Sequence, residues 1–139
     1  MPYDDLPTCE FAFPGPLRDR LVAAILDGGK TSTTGLADEY EREGEPLPTP
    51  GQRSAVVDSA GKRVAVIEIV DVRVLRLADV TLAHALAEGE GHTTVAEWRA
   101  GHEAFWHSPE VREERGDLTF TVTDDTPVVT ETFRLITTL

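Results

Sequence analysis

A single cysteine, Cys9, stands in a chain of 139 residues. No intrachain disulfide can form, and no thiolate cluster can hold a metal. That usage suits a reducing compartment, and the expected location is the cytoplasm. Positive charge is scarce as well: 13 Lys+Arg stand against 25 Asp+Glu, a formal net charge of −12. A chain this acidic repels long polyanions unless it gathers its few cations into one place. Extended nucleic-acid binding is therefore not the default expectation, while a small basic pocket stays open. No apolar run approaches the length of a membrane span. Met1-Pro2-Tyr3-Asp4-Asp5 lacks the basic and apolar regions of a signal peptide, so no membrane partner is expected. Internal repeats and low-complexity tracts are missing too.

What is present is enough apolar material for a core, 40% of the residues, in a length that suits one domain over residues 1–139. Residues 1–14 are Pro-rich and read as an irregular segment anchored by Phe11 and Phe13. Pro16 suits the first position of a helix. Leu17, Leu21, Val22, Ala24 and Ile25 then form a stripe at helical spacing, closed by Gly28-Gly29. Residues 30–34 begin a strand, 36–43 form a short acidic helix, and 45–52, with Pro46, Pro48 and Pro50, form a loop. Residues 54–58 and 63–75 make a hairpin, with Val64, Val66, Val70, Val72 and Val74 expected on one face. Asp79 is the expected cap of a helix over 80–88, broken at Glu88-Gly89-Glu90-Gly91. Thr94 and Glu97 read as a capping box opening the next helix. Residues 108–116 read as a loop or frayed helix, and 118–123 and 128–136 as strands. The order predicts an α+β domain with a curled sheet or small barrel of about five to six strands and flanking helices.

The stretch richest in chemistry is Gly28-Gly29-Lys30-Thr31-Ser32-Thr33-Thr34-Gly35, which places a lysine among hydroxyls at a helix exit. Lys30 can satisfy the last carbonyls of the helix, or it can enter a pocket as a charge or a base. Thr33 is an ordinary strand residue or a nucleophilic or positioning hydroxyl. Glu90, between two glycines, is an exposed loop acid or an acid/base group opposite Lys30, with Glu88 as its rival. Glu131 and Glu68 fall on apolar strand faces and need a partner such as Lys30 or Arg99, or a cleft. Tyr40 is a candidate base-stacking or proton-carrying residue. His84, His92, His102 and His107 show no ligand spacing on a helix face, so no metal site is expected. Trp98, Phe105 and Trp106 are most simply core residues. No cofactor is expected.

Gly29-Lys30-x-x-Thr33, the acidic Ala87-Glu88-Gly89-Glu90-Gly91 break and Trp98-Arg99 together resemble the ASCH family, a branch of the PUA-like β-barrel fold. The segment from Asp38 to Pro48 and the stretch from Asp125 to Phe133 are similar to the family's longer bacterial members. The resemblance spans roughly residues 11 to 136, essentially the whole domain. It implies a cleft for RNA or nucleotides. Some members are small amidohydrolases that remove the acyl group from acetylcytidine, and at least one longer member is described as a ribonuclease. Carried over by motif position, the amidohydrolase's working residues fall on Lys30, Thr33 and Glu90. Thr31, Ser32, Tyr40, Arg99 and Glu131 are the expected substrate-binding residues.

Three functions follow as expectations. The first is a hydrolase of a modified nucleoside or small amide, with Thr33 attacking, Lys30 taking its proton and Glu90 returning one to the amine. The second is a ribonuclease on single-stranded RNA, which would gather Arg18, Arg20, Lys30 and Arg99 into a basic groove. The third is a non-catalytic RNA- or nucleotide-binding module. The expected partner is thus a small nucleoside-like ligand or a short RNA.

Overall fold

Local signals set most of the elements in the structure, a computed structural model that describes residues 3–139. Helix α1 runs Pro16–Asp27, opened by Pro16 and ended at Gly28, whose φ of 87° is the left-handed geometry that glycine adopts cheaply. Strand β2, Ser32–Leu36, leads into helix α2, Ala37–Glu43. Strands β3, Arg53–Val57, and β4, Arg63–Arg76, form the expected hairpin. Helices α3, Leu82–Ala87, α4, Val95–Trp106, and α5, Pro109–Arg115, precede strand β5, Pro127–Thr138. The segment expected to be irregular before α1 contains a two-residue strand β1, Thr8–Cys9, parallel to β3. Met1 and Pro2 of that segment lie outside the described residues.

The strands form one sheet in the order β1-β3-β4-β5-β2, with every pair but the first antiparallel. The α+β class is as expected, but the sheet is open and does not close into a barrel. Residues 118–123, expected to add a strand, run as coil. Their backbone is satisfied locally instead. Asp117 takes the N–H and the hydroxyl of Thr119, and His107 Nε2 accepts from the Val122 N–H at 3.0 Å.

The valine face expected on β4 is interrupted. Ala65, Ile67 and Ile69 are buried, and register shifts at Val66/Ile67 and Ile69/Asp71 turn Val70 out to 49% exposure. A bulge sets two residues against one and so reverses the alternation. Capping also differs from expectation. Residues 77–79 form a 3-10 turn, so Thr81 rather than Asp79 caps α3, accepting from His84 N at 3.2 Å. Thr94 caps α4 as expected, but Glu97 reaches back to Thr93 N instead of closing the box on Thr94. Residues 109–115 are helical, with Ser108 as the cap of α5.

Two apolar clusters fill the interior. One joins Phe11, Val22 and Ile25 to Ile67, Ile69 and Phe133 of the sheet. The other packs Leu36, Leu77, Val80 and Val128 against Trp98 and Trp106. Among the described residues, no helix is long and apolar enough to cross a membrane.

Candidate functional site

The glycine pair after α1 lets the chain leave the helix axis, and Lys30 turns inward rather than capping the helix. Its side chain is only 2% exposed. Nζ donates to Ser32 O at 2.8 Å and Glu88 O at 3.3 Å. It also lies 3.5 Å from a Glu88 carboxylate oxygen and 3.7 Å from one of Glu90. The Phe11 ring centroid is 5.9 Å away. A buried ammonium needs such partners, because removal from water is costly unless opposite charge and acceptors replace it.

Glu88 is the anion at the centre. It sits at the C-terminal end of α3, where the helix dipole disfavours a carboxylate, and it is 1% exposed. Compensation comes from every side. One oxygen accepts from Trp98 Nε1 at 2.6 Å and Thr34 Oγ1 at 2.8 Å, with His84 Nε2 at 3.1 Å. The other faces His102 Nε2 at 3.2 Å and Lys30. Burial alone would raise this carboxyl. Hydrogen bonds from His102 and His84 and the charges of His102 and Lys30 outweigh it and hold Glu88 far below the usual carboxylate range. His102 Nδ1 meets Trp98 O at 2.9 Å, so both ring nitrogens face oxygens that only accept. A ring that donates at both nitrogens is an imidazolium. Burial pulls His102 down, but the hydrogen bond and charge of Glu88 raise it overall.

Glu90 stands at the open side of the same cluster. Burial raises its carboxyl, Lys30 works against that, and the neighbouring Glu88 adds to it. Between the two acids lies Gly89, with φ +68°; a Cβ there would fall 2.8 Å from Lys30 N, against the Gly29 carbonyl. Thr31 N donates to Ala87 O at 2.8 Å in the same contact. The absence of a side chain at Gly89 thus lets both acids close on Lys30.

Thr33 is paired with Glu131 across β2 and β5, and both line the cavity that Lys30 and Glu90 enter. Opposed residues of an antiparallel pair project to one face. Thr33 Oγ1 has no hydrogen-bond partner among the described residues. Tyr40, from α2, donates its hydroxyl to Glu131 at 3.2 Å. Burial raises the Glu131 carboxyl, against the Tyr40 hydrogen bond. Burial, then the charge and hydrogen bond of Glu131, raise the Tyr40 hydroxyl in turn. Cys9 shares this wall, where burial and the charges of Glu131 and Glu10 push its thiol up to about 12. It is no nucleophile at neutral pH.

The cavity has a volume of about 1430 Å³. Glutamates outnumber Arg and Lys along its wall eight to five. Other residues singled out in the sequence lie elsewhere. Thr31 is exposed, and Ser32 is buried with Oγ on His84 O at 3.1 Å. Arg99 stands outside the lining, bound to Glu103 and Asp124 rather than to Glu131 or Glu68. Glu68 pairs with Arg53 and Arg134, also outside the cavity. Arg18 lines the cavity but spends its guanidinium on the carbonyls of Phe11, Ala12 and Asp58.

Sequence reasoning missed His84, His102, Thr34 and Trp98 as the frame of the site. A signal existed: His84 and Glu88, like Trp98 and His102, are four apart on a helix, hence on one face. Glu88, Glu90 and His102 also bring one potential ligand atom each within 4.8 Å of one another, a spacing that suits a metal ion. The Lys30 ammonium supplies positive charge beside both carboxylates.

Comparison with known proteins agrees with this architecture. Residues 9–137 match the family model for the ASCH domain. No curated protein matches the chain. Among solved structures, the ASCH domain from Lactobacillus crispatus JV V101 is similar at 26% identity and TM-score 0.76, over 93% of this chain and 79% of that one. Protein EF3133 from Enterococcus faecalis V583, of family DUF984, superposes with TM-score 0.81 at 24% identity, over 95% of this chain and 77% of that one. A mutant form of ZmASCH from Zymomonas mobilis shares the fold more distantly, with TM-score 0.52 at 11% identity over 95% of this chain and 73% of that one. With the family model covering nearly its whole length, the chain belongs to the ASCH domain family.

Proposed function

We propose that the protein hydrolyses a small acylated nucleoside or similar amide in the Lys30/Glu90 cavity. The observation carrying this reading is the contact of buried Lys30 Nζ with Glu90, 3.7 Å apart on the wall of an open cavity. A fixed ammonium beside a carboxyl raised by its surroundings pairs a charge stabiliser with a proton carrier.

In the reaction, Thr33 Oγ bonds to the acyl carbon while its proton passes to the Glu90 carboxylate. Lys30, surrounded by the Ser32 and Glu88 carbonyls and two carboxylates, serves as the ammonium that steadies the developing oxyanion. The proton-carrying role expected of the lysine falls to Glu90. The C–N bond then breaks as Glu90 returns the proton to the departing nitrogen, and water hydrolyses the acyl–threonine ester. The acidic wall favours a neutral nucleoside over a polyphosphate chain.

The test is release of acetate and cytidine from N4-acetylcytidine. The wild type should turn over, and Lys30→Met, Glu90→Gln and Thr33→Val should each lose about a hundredfold or more in kcat/KM. No product at high enzyme concentration ends this reading. Binding without product would favour a binding module. Cleavage of single-stranded RNA, lost in Lys30→Ala, would favour a ribonuclease.

A further inference from the structure

Helix α2 walls the cavity without being packed into the protein. None of its seven residues is buried. A helix this short depends on packing an apolar face, and α2 buries none. Glu39, Tyr40, Arg42 and Glu43 line the cavity. Ala37, Asp38, Tyr40 and Glu41 also line a second pocket of about 380 Å³, which reaches Val74 and Pro127 of the sheet. Open space thus borders α2 on two sides. Its ends differ. Leu36, just before the helix, is 1% exposed and pins the start to the core. The other end runs out at Gly44, with φ 68°, into the exposed proline loop.

What holds α2 down is polar, and most of it converges on one residue. Arg115, the last of α5, donates to Asp38 through Nη2, and its Nη1 lies 3.6 Å from Glu39. Arg42 donates in return to the Arg115 carbonyl. The remaining tie is Tyr40 on Glu131 at 3.2 Å. Arg115 belongs to the fixed side. Its side chain is 7% exposed, with the guanidinium carbon 3.8 Å from the Phe120 ring centroid. Helix α5 is itself anchored by buried Val111 and by Arg112, which donates to Phe120 O at 3.0 Å.

The clasp is a shallow one. Among the described residues, Arg115 Nε and Nη1 are buried with no hydrogen-bond partner. A guanidinium withdrawn from water and only partly paired costs free energy. Helix α2 carries four acids against one base, and Glu114 and Glu131 stand on the same cavity wall. Like charge presses the helix outward once the clasp lets go.

We propose that α2 is a lid on the cavity, pinned at Leu36 and latched by Arg115, and that it lifts to let a ligand in and out. Lifting it breaks the contacts at Arg115 and the Tyr40–Glu131 bond, and takes no buried side chain of α2 out of the core. Segments held this way open locally, well below the cost of global unfolding. The lid serves whatever ligand the cavity takes and does not rest on the hydrolase reading.

Two readouts on the ligand-free protein test it. One is hydrogen exchange at the amides of residues 41–45, which close the turns of α2 and its cap; a helix this short unwinds when lifted off its contacts. The other is alkylation of Cys9, on the cavity wall, by iodoacetamide at fixed pH. In the wild type, amides 41–45 should exchange about a hundredfold or more faster than those of β4 and β5. Arg115→Met keeps a stem over Phe120 and removes the latch. It should raise both α2 exchange and Cys9 alkylation about tenfold or more, with β4 and β5 unchanged. Arg42→Ala removes one tie from an exposed side chain and should raise both by less, which keeps the test open if Arg115→Met does not fold. The lid is overturned by wild-type α2 amides as protected as the sheet, or by exchange unchanged in both variants. It is also overturned by a rise shared equally with β4 and β5 in both, or by faster α2 exchange with Cys9 alkylation unchanged.

Discussion

At the scale of single residues, Glu88 and Glu90 lie two positions apart, and their surroundings drive them in opposite directions. Glu88 is enclosed by Trp98, Thr34, His84, His102 and Lys30 and held as an anion. Glu90 is raised by burial and faces the cavity. Glu88→Gln should therefore remove roughly 3–5 kcal/mol of stability, the usual cost of breaking a buried charged network, measured by denaturant unfolding. In the same variant the His102 titration should move down, because Glu88 is what raises it; nitrogen chemical shifts of the imidazole report this. Glu90→Gln should leave stability near that of the wild type. A small change on Glu88→Gln with a large one on Glu90→Gln would reverse these assignments. The sequence showed both acids but could not rank them, since adjacency along the chain says nothing about which one the helices enclose.

At the scale of elements, the loop after α3 and the loop after α1 meet backbone to backbone at Gly89. Gly89→Ala meets both a left-handed φ and the Gly29–Lys30 peptide, so the two loops must part. We expect a loss of roughly 3 kcal/mol or more and a site in which Glu90 no longer reaches Lys30. Thermal melts and N4-acetylcytidine turnover check the two effects, and a variant unchanged in both would show the contact to be dispensable. Elements with strong local signals were legible in advance: the Pro16 start and glycine stop of α1, the β3–β4 hairpin, the Thr94 cap. Residues 118–123 were not, because a coil satisfied by Asp117 and His107 has the same composition as a strand. The bulges of β4 were not either, since Val70 differs in nothing from the valines around it except its register with β5.

At the scale of the whole molecule, stability should peak on the acid side of neutrality. Glu88 is depressed when folded, so its contribution is full above the ordinary 4.5 and is lost as pH falls below it. His102 is raised, so its contribution is full below the ordinary 6.5 and is lost as pH climbs through its raised value. Glu90 and Glu131, also raised, add stability toward acid pH in the same sense. The net charge of −12 adds self-repulsion that eases as carboxylates protonate. A melting temperature highest between pH 4.5 and 6.5 is expected; a maximum at pH 8 would show that this cluster does not govern the pH dependence. The strand order β1-β3-β4-β5-β2 adds a matter of timing. β5 is made after every other strand, yet it lies between β4 and β2. While the ribosome still holds residues 127–138, β2 has no neighbour, nothing faces Thr33, and Tyr40 has no carboxyl to meet. Synthesis therefore delivers Lys30 and both acids of the α3 loop well before the opposite wall of the cavity. The cavity of a nascent chain stays one-sided until β5 slides into the middle of the sheet.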